Sequence, residues 1–371
     1  MFDPQSLIRP HIQEMPAYEP ILPFEVLSRQ LGRRAEQIIK LDANENPYGL
    51  LPAVQQALAG MPFGHIYPDP GSQDLRTALA AYHGVPAENL LAGAGADELI
   101  DLILRLVINP GEAVINCPPT FGMYAFDSDL NAARVISVPR REDFSLDVNA
   151  IETEARQRGA KLIFLASPNN PDGSLIPGEA VARLLELPLL VVLDEAYMEF
   201  APAGSSLLAE AARRSNLVVL RTFSKWAGLA GLRVGYGAFP SALMPHLWKI
   251  KQPYNVSVAA STAAIVSLQH AAELQEVGQR LLAERQRLYE GLQTIPYLRP
   301  YPSQANFILC RVVGREARAL KQQLAQAGIL VRYFDKPGLQ NCIRISVGKP
   351  EHTDMLLQTL RELGKQDLEG K

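Results

Sequence analysis

From about residue 90 to residue 240 the chain repeats one pattern: a short apolar run, a turn, then a helical stretch. The apolar runs are "ENLLAGAG", "EAVINC", "ARVISV", "KLIFLA", "LLVVLDE", "NLVVLR" and "RVGYGAF". Stretches with apolar residues at helical spacing, "DELIDLILRLV", "NAIETEARQRG" and "GEAVARLLEL", separate most of them. Strand and helix in alternation call for a mostly parallel sheet covered by helices on both faces. In sheets of this kind ligands bind beyond the carboxyl ends of the strands, so polar residues at strand exits are the candidates for function.

The flanks differ. Residues 1 to about 38 are punctuated by proline and read as an arm plus the short helix "FEVLSRQLGRRA". From Asp42 to Pro70 turn formers are dense, as in "DANENPYG" and "YPDPGS", and the segment reads as loop-rich. From about residue 255 long helices follow, then "ANFILCRV", the helix "REARALKQQLAQAG", "ILVRYF", "CIRISVG" and a last helix. That is a second, smaller α/β domain. The expected division is an arm with part of the small domain at 1–38, a large domain at 39–265 and the rest of the small domain at 266–371. A chain of 371 residues suits two such lobes, and 47% apolar against 20% charged residues suits a large core.

Composition narrows the function. A net charge of −3 provides no basic field for nucleic acid or acidic membranes. Cys117, Cys310 and Cys342 are far apart and odd in number, which fits a reducing compartment and offers no disulfide framework or zinc spacing. No apolar run has signal-peptide or membrane-spanning character, so a cytoplasmic enzyme without a metal is expected.

Four strand exits carry unusual chemistry. "GAGADE", Gly93 to Glu98, sets small residues before a helix whose free N–H groups can hold an anion. It is not a dinucleotide fingerprint, because Glu98 occupies the third glycine position. "SPNNPDG" holds Asn170 before Pro171, a position biased to extended or turn conformations. "VVLDEAY" ends an apolar run on Asp194, with Tyr197 three residues on. "TFSKWAGLAGLRVGYG" gathers Thr222, Ser224, Lys225 and Arg233. Each alone has an ordinary reading as a capped helix, a turn or a solvated charge. The set matches the needs of pyridoxal phosphate: an amine for its aldehyde, a carboxylate to keep its ring nitrogen protonated, an amide and a phenol for its phenolic oxygen, and a helix start, hydroxyls and a guanidinium for its phosphate.

"LDANENPYG", "SPNNPDG", "LDEAY", "TFSKWAGLAGLRVGY" and "CIRISVG" occur in order over nearly the whole chain. With them the chain resembles the aspartate aminotransferase superfamily of pyridoxal-phosphate enzymes, and within it the branch acting on histidinol phosphate and glutamate. The resemblance implies that Lys225 bonds to the cofactor aldehyde and later moves the substrate proton. It implies that Asp194 pairs with the pyridine nitrogen, and Asn170 and Tyr197 with the phenolic oxygen. Phe121 of "CPPTFGMY" would stack on the ring, where a tyrosine is common. The backbone of Gly95, Ala96 and Asp97, with Thr222, Ser224 or both, and Arg233 would hold the phosphate. Tyr67 would reach the phosphate in a neighbouring subunit, which implies a homodimer with shared sites. Arg344 would clamp the substrate α-carboxylate; strand alternation sets it on one face with Cys342 and Ser346. Arg332, Tyr18, Tyr254 and Asn255 would receive the phosphate and imidazole side of the substrate, and Asn44 and Asn306 would lie near the α-substituent. Asp172 stands where threonine is usual and is expected to face away from the chemistry. An aminotransferase for phenylalanine or tyrosine and a threonine-phosphate decarboxylase would share this cofactor site. A cofactor-binding regulatory module would need a DNA-binding domain for which the chain has no room.

Overall fold

The architecture is taken from a computed structural model, which describes residues 2–17 and 22–369, with side chains described through residue 365. Its strands are β1 (Ile39–Leu41), β2 (Leu90–Gly93), β3 (Ala113–Asn116), β4 (Arg134–Ser137), β5 (Ala160–Ala166), β6 (Leu190–Asp194), β7 (Leu217–Thr222), β8 (Gly235–Ala238), β9 (Leu298–Pro300), β10 (Phe307–Val312), β11 (Ile329–Tyr333) and β12 (Cys342–Ser346).

Seven of them form a sheet in the order β2-β8-β7-β6-β5-β3-β4. The pairings β4/β3, β3/β5, β5/β6 and β6/β7 are parallel, and β8 runs antiparallel to both of its neighbours. The apolar runs explain why this sheet is buried on both sides. On β5, β6 and β7, Ile163, Leu165, Val191, Leu193 and Val219 join one core cluster. The alternate residues Leu162, Phe164, Val192, Val218 and Leu220 join another on the opposite face. Successive side chains of a strand point to opposite faces, so a continuous apolar run is what a doubly covered sheet requires. Each fully buried aliphatic or aromatic side chain here contributes ~1.5–3 kcal/mol of hydrophobic stabilisation.

The other five strands form a second sheet in the order β1-β11-β12-β10-β9. The helix Ala317–Gln326 packs on β11, and the long helix Ala271–Gln293 packs on β9, β10 and the helix Pro350–Glu369. This is the smaller α/β domain that the C-terminal sequence predicts. One strand of its sheet comes from elsewhere: β1 pairs in parallel with β11, Ile39 opposite Ile329. Three residues are too short for a periodic signal, and "IKL" becomes a strand only because β11 offers it an edge.

The segment from Asp42 to Pro70 is loop-rich, as its turn formers imply, with one helix set into it. It contains the helix Pro52–Ala59, with proline in the first turn and Gly60 as its C-terminal cap. The turn formers on both sides are those of its boundaries. Among the described residues no helix is long and apolar enough to cross a membrane.

Candidate active site

The parallel strands deliver their carboxyl ends to one edge of the large sheet, and β6 ends there on Asp194. Its carboxylate is buried, accepting from the Tyr124 hydroxyl at 2.7 Å and the Ala196 N–H at 3.0 Å. Burial pushes this carboxyl up to about 6, and those two donors restrain the rise. A buried acid in that state favours a cationic partner. Tyr124 was not among the residues singled out in the sequence, although "CPPTFGMY" contains it three positions after Phe121. It stands in the first turn of the helix Met123–Leu130, lies flat on Phe164 at 5.2 Å between centroids and meets Phe121 edge-on at 5.5 Å.

Tyr197 links the next group. Its hydroxyl receives the Asn44 amide at 3.0 Å and, at the limit of hydrogen-bond length, the Asn170 amide at 3.5 Å. With two amides donating to the oxygen, the phenolic hydrogen is left to point elsewhere. The carbonyl of Asn170 accepts from Arg344 Nη1 at 2.5 Å, and Arg344 Nη2 donates to the Asp42 carbonyl at 2.8 Å. On β12 the expected alternation holds: Ser346, two residues from Arg344, also turns to this segment and bonds the Asn44 backbone N–H and side-chain oxygen, both at 2.9 Å. Asn306 donates to the Asn44 carbonyl at 3.0 Å, while its own side-chain oxygen is buried and without a partner. Asn44 holds a φ of 56° at the centre of these contacts.

Lys225 reaches into the same group. Its Nζ donates to the Ala43 carbonyl at 3.2 Å and lies 6.0 Å from the centroid of the Tyr197 ring. Burial, with Arg344 and Arg233 adding to it against Glu45 and Asp97, brings its ammonium down to about 8. At neutral pH this leaves a share of free amine that an ordinary surface lysine lacks. Its loop is held close to the chain before the helix Pro52–Ala59: at Gly228, with φ of 72°, an added Cβ would sit 2.5 Å from the Gly49 carbonyl oxygen.

A third group forms an anion cradle. The helix Ala96–Val107 begins after Gly95, whose φ is 85° and which supplies no side-chain cap, so its first N–H groups are open. A Cβ on Gly95 would come within 2.6 Å of Arg233 Nη2. Arg233 pairs with Asp97 at 2.9 Å, both half-exposed. Thr222 Oγ1 donates to Ser224 Oγ at 2.9 Å and accepts from the Ser224 N–H at 3.1 Å. Glu98 fastens the turn by accepting from the Ala94 N–H at 2.6 Å and from Asn255 at 2.7 Å.

The remaining expected residues are spread more widely. Asn255 also bonds the Ala92 carbonyl at 3.2 Å and accepts from Lys251 at 2.7 Å, which sets it beside the anion cradle. Tyr254 stacks on Tyr67 at 4.7 Å, with Tyr67 80% exposed. No described contact joins this pair to Arg332, which lies opposite Arg344 in the strand register and 5.7 Å from the centroid of Phe334. Tyr18 lies outside the described residues. Asp172 is buried within its own turn, accepting from the Asn169 amide and, at 2.9 Å, from the Ser174 N–H.

Residues 36–360 match the family described as aminotransferase class I and II. The chain belongs to this family. It is 54% identical to histidinol-phosphate aminotransferase 1, chloroplastic, of Arabidopsis thaliana, over 96% of this chain and 86% of the relative. It is 52% identical to the histidinol-phosphate aminotransferase of Roseiflexus castenholzii, over 96% of this chain and 98% of that one. The crystal structure of histidinol-phosphate aminotransferase from Sinorhizobium meliloti in complex with pyridoxal-5'-phosphate superimposes with a TM-score of 0.89 at 32% identity, over 97% of this chain and 98% of that one.

For an aminotransferase the three groups have a clear division. An acid, an amine beside a phenol and a glycine-lined cradle suit a flat heteroaromatic ring with an aldehyde and a phosphate. The cradle is the decisive test of fit, since any side chain at Gly95 would fill the space between the helix start and Arg233. Among the described residues no cluster of His, Cys, Asp or Glu is arranged to hold a metal ion.

Proposed function

We propose that this chain catalyses the reversible transfer of an amino group between L-histidinol phosphate and 2-oxoglutarate, giving imidazole acetol phosphate and L-glutamate, with pyridoxal 5'-phosphate as cofactor, as a step of histidine biosynthesis. The observation that carries the reading is the linked set Arg344–Asn170–Tyr197–Asn44 beside the Lys225 amine. It joins a carboxylate-binding guanidinium to the groups suited to a cofactor oxygen. The relatives in this branch support the choice of substrates.

When bound, the cofactor supplies an aldehyde that condenses with amines and a ring that accepts the electron pair released at the substrate α-carbon. The residues do the rest. Lys225 Nζ takes the proton from the α-carbon of the amino donor and returns one to the acceptor skeleton. Its lowered affinity for protons suits it to act in both directions near neutral pH. Asp194, braced by Tyr124 and Ala196, keeps the ring nitrogen protonated. The Tyr197 hydroxyl, free to donate away from the two asparagines, and Asn170 serve the phenolic oxygen. The backbone at Gly95, Ala96 and Asp97, with Thr222, Ser224 and Arg233, holds the phosphate. Phe121 covers the ring.

Arg344 binds the α-carboxylate of glutamate, with Asn44 and Asn306 beside the α-carbon. Histidinol phosphate has no carboxylate, so its phosphate must find another cation. Arg332 is the candidate, with Tyr18, Tyr254 and Asn255 around the imidazole and phosphate side. The exposure of Tyr67 and its stack on Tyr254 support a homodimer in which each Tyr67 serves the other subunit's phosphate. The three buried free cysteines support a reducing, cytoplasmic setting. We take the lobes as divided near residues 38 and 265, with β1 lending an edge to the smaller sheet.

Phe334 lies close to both Arg332 and Arg344, and this aromatic face favours a second reading, an aminotransferase for phenylalanine or tyrosine. One experiment separates the two. Purified protein with pyridoxal phosphate and glutamate is given either imidazole acetol phosphate or phenylpyruvate, and 2-oxoglutarate is measured. The first acceptor should give much the faster release. Preference for phenylpyruvate would favour the second reading, and release with neither would reject both.

A further inference from the structure

Behind the sheet edge that carries Asp194 and Lys225 lies a buried ionic cluster whose described hydrogen bonds go to none of the site residues' side chains. Glu195 directly follows Asp194, and Arg221 directly precedes Thr222. The side chain of Glu195 is fully buried and that of Arg221 is 7% exposed. Arg221 Nη1 donates to Glu195 Oε2 at 2.9 Å and Nη2 to Glu199 Oε1 at 2.7 Å. Both oxygens of Glu195 are further occupied: Ser206 Oγ donates to Oε2 at 2.5 Å and the Leu207 N–H to Oε1 at 2.7 Å. Across the register Arg221 faces Tyr236, whose hydroxyl meets His83 at 2.7 Å.

The direction of these side chains matters. Asp194 turns to Tyr124, on the face of Phe164 and Leu220, whereas Arg221 turns to the face of Tyr236 and Phe223. The cluster therefore lies on the reverse of the sheet from the acid. It joins the carboxyl ends of β6 and β7, where the backbone pairing continues one step beyond Asp194 through Glu195 N–H to the Leu220 carbonyl at 2.9 Å.

Stability alone is a poor reason for such a cluster. Removing one arginine and two carboxylates from water costs about as much as their attraction returns, and apolar substitutes of like shape often serve as well. What ionic hydrogen bonds of fixed geometry do supply is register. We propose that Glu195 and Arg221 are positioning residues that fix the separation between Asp194 and the Thr222–Lys225 segment, so that the acid and the amine meet opposite sides of one cofactor ring. The inference rests on the pyridoxal-phosphate reading of the site.

The test compares cofactor affinity with the stability of the cofactor-free protein. A neutral, near-isosteric cluster is made by combining Arg221→Met, Glu195→Gln and Glu199→Gln. Melting temperature is followed without cofactor, and Kd for pyridoxal phosphate by absorbance titration. The triple variant should melt close to the parent yet bind the cofactor roughly tenfold or more weakly, the scale known for outer-shell partners of bound metals. Parental affinity in a folded variant overturns the proposal. Should the triple variant not fold, Glu195→Gln alone decides, since glutamine can keep the contacts to Ser206 and Leu207. It should raise Kd by at least about threefold, the order of one net hydrogen bond, at a temperature well below its melting point, which falls because the buried Arg221 loses one of its two carboxylates. An unchanged Kd overturns the proposal here too. A parent protein that does not bind pyridoxal phosphate would instead overturn the reading of the site.

Discussion

Arg344 Nη1 donates to Asn170 Oδ1 at 2.5 Å, joining a strand of the smaller sheet to the turn that follows a strand of the larger one. Arg344 stands on β12 of the smaller sheet, and Asn170 follows β5 of the larger one. This bond ties the group suited to a substrate carboxylate to a group suited to a cofactor oxygen. A carboxylate bound there as proposed would compete with Asn170 for the same guanidinium.

Arg344→Ala should weaken use of glutamate by about 10–100-fold, the worth of a hydrogen bond to a charged group. The reaction with histidinol phosphate, which brings no carboxylate, should lose less. Single-turnover absorbance changes with each amino donor would measure the two separately. Equal losses would count against the clamp.

Lys225→Ala should abolish turnover, and borohydride treatment of the parent protein with pyridoxal phosphate should leave the added mass on the peptide carrying Lys225. The rate of cofactor uptake should also rise with pH through about 8 and then level, because the free amine is the nucleophile and burial has lowered this lysine from 10.5 to that value. A rate still climbing steeply above pH 9 would mean that burial does not lower the affinity of this amine for protons.

Asp194→Asn should act in opposite directions with and without cofactor. The folded protein holds this carboxyl near 6, above its ordinary 3.8. Its protonated form therefore favours the fold, fully so below pH 3.8 and less as the pH rises through 6. At neutral pH the ionised, buried acid costs the cofactor-free protein about 3 kcal/mol. Asparagine removes that cost, so the cofactor-free melting temperature should rise at pH 7 while cofactor affinity falls. Scanning calorimetry and absorbance titration give the two values, and a lower melting temperature with unchanged affinity would show that the acid serves structure alone.

His83 provides a separate limb of acid sensitivity. Burial and the nearby Arg221 charge hold it down to about 3, neutral against the Tyr236 hydroxyl at 2.7 Å. Its contribution to stability is complete above its ordinary 6.5 and is lost as the pH falls toward 3. His83→Gln should therefore flatten the decline of melting temperature between pH 6.5 and pH 4 relative to the parent. Parallel declines would mean that other groups carry the acid sensitivity.

Some of this was open to reading along the chain. The strands from β2 to β8 announce themselves as apolar runs because both faces of their sheet are covered. Lys225, Asp194, Tyr197, Asn170, Arg233 and Arg344 sit in motifs dense enough to be singled out. β1 gave no such signal, since its three residues owe their conformation to β11. Tyr124 and Glu195 were passed over for another reason. A tyrosine on an amphipathic helix and a glutamate after a strand are ordinary until a partner is known, and their partners are Asp194, 70 residues away, and Arg221, 26 residues away.

The sequence by itself determined which chemical groups the protein owns and the doubly covered sheet that delivers them to one edge, because periodicity and turn chemistry are local properties of a chain. Only the tertiary structure decided who meets whom. It joined Arg344 to Asn170, braced Asp194 with Tyr124, set Asn255 at the anion cradle and sealed Arg221 against Glu195. Those choices depend on burial and on distances between segments far apart in the chain, and burial is what turns an ordinary lysine and an ordinary aspartate into an amine near 8 and an acid near 6.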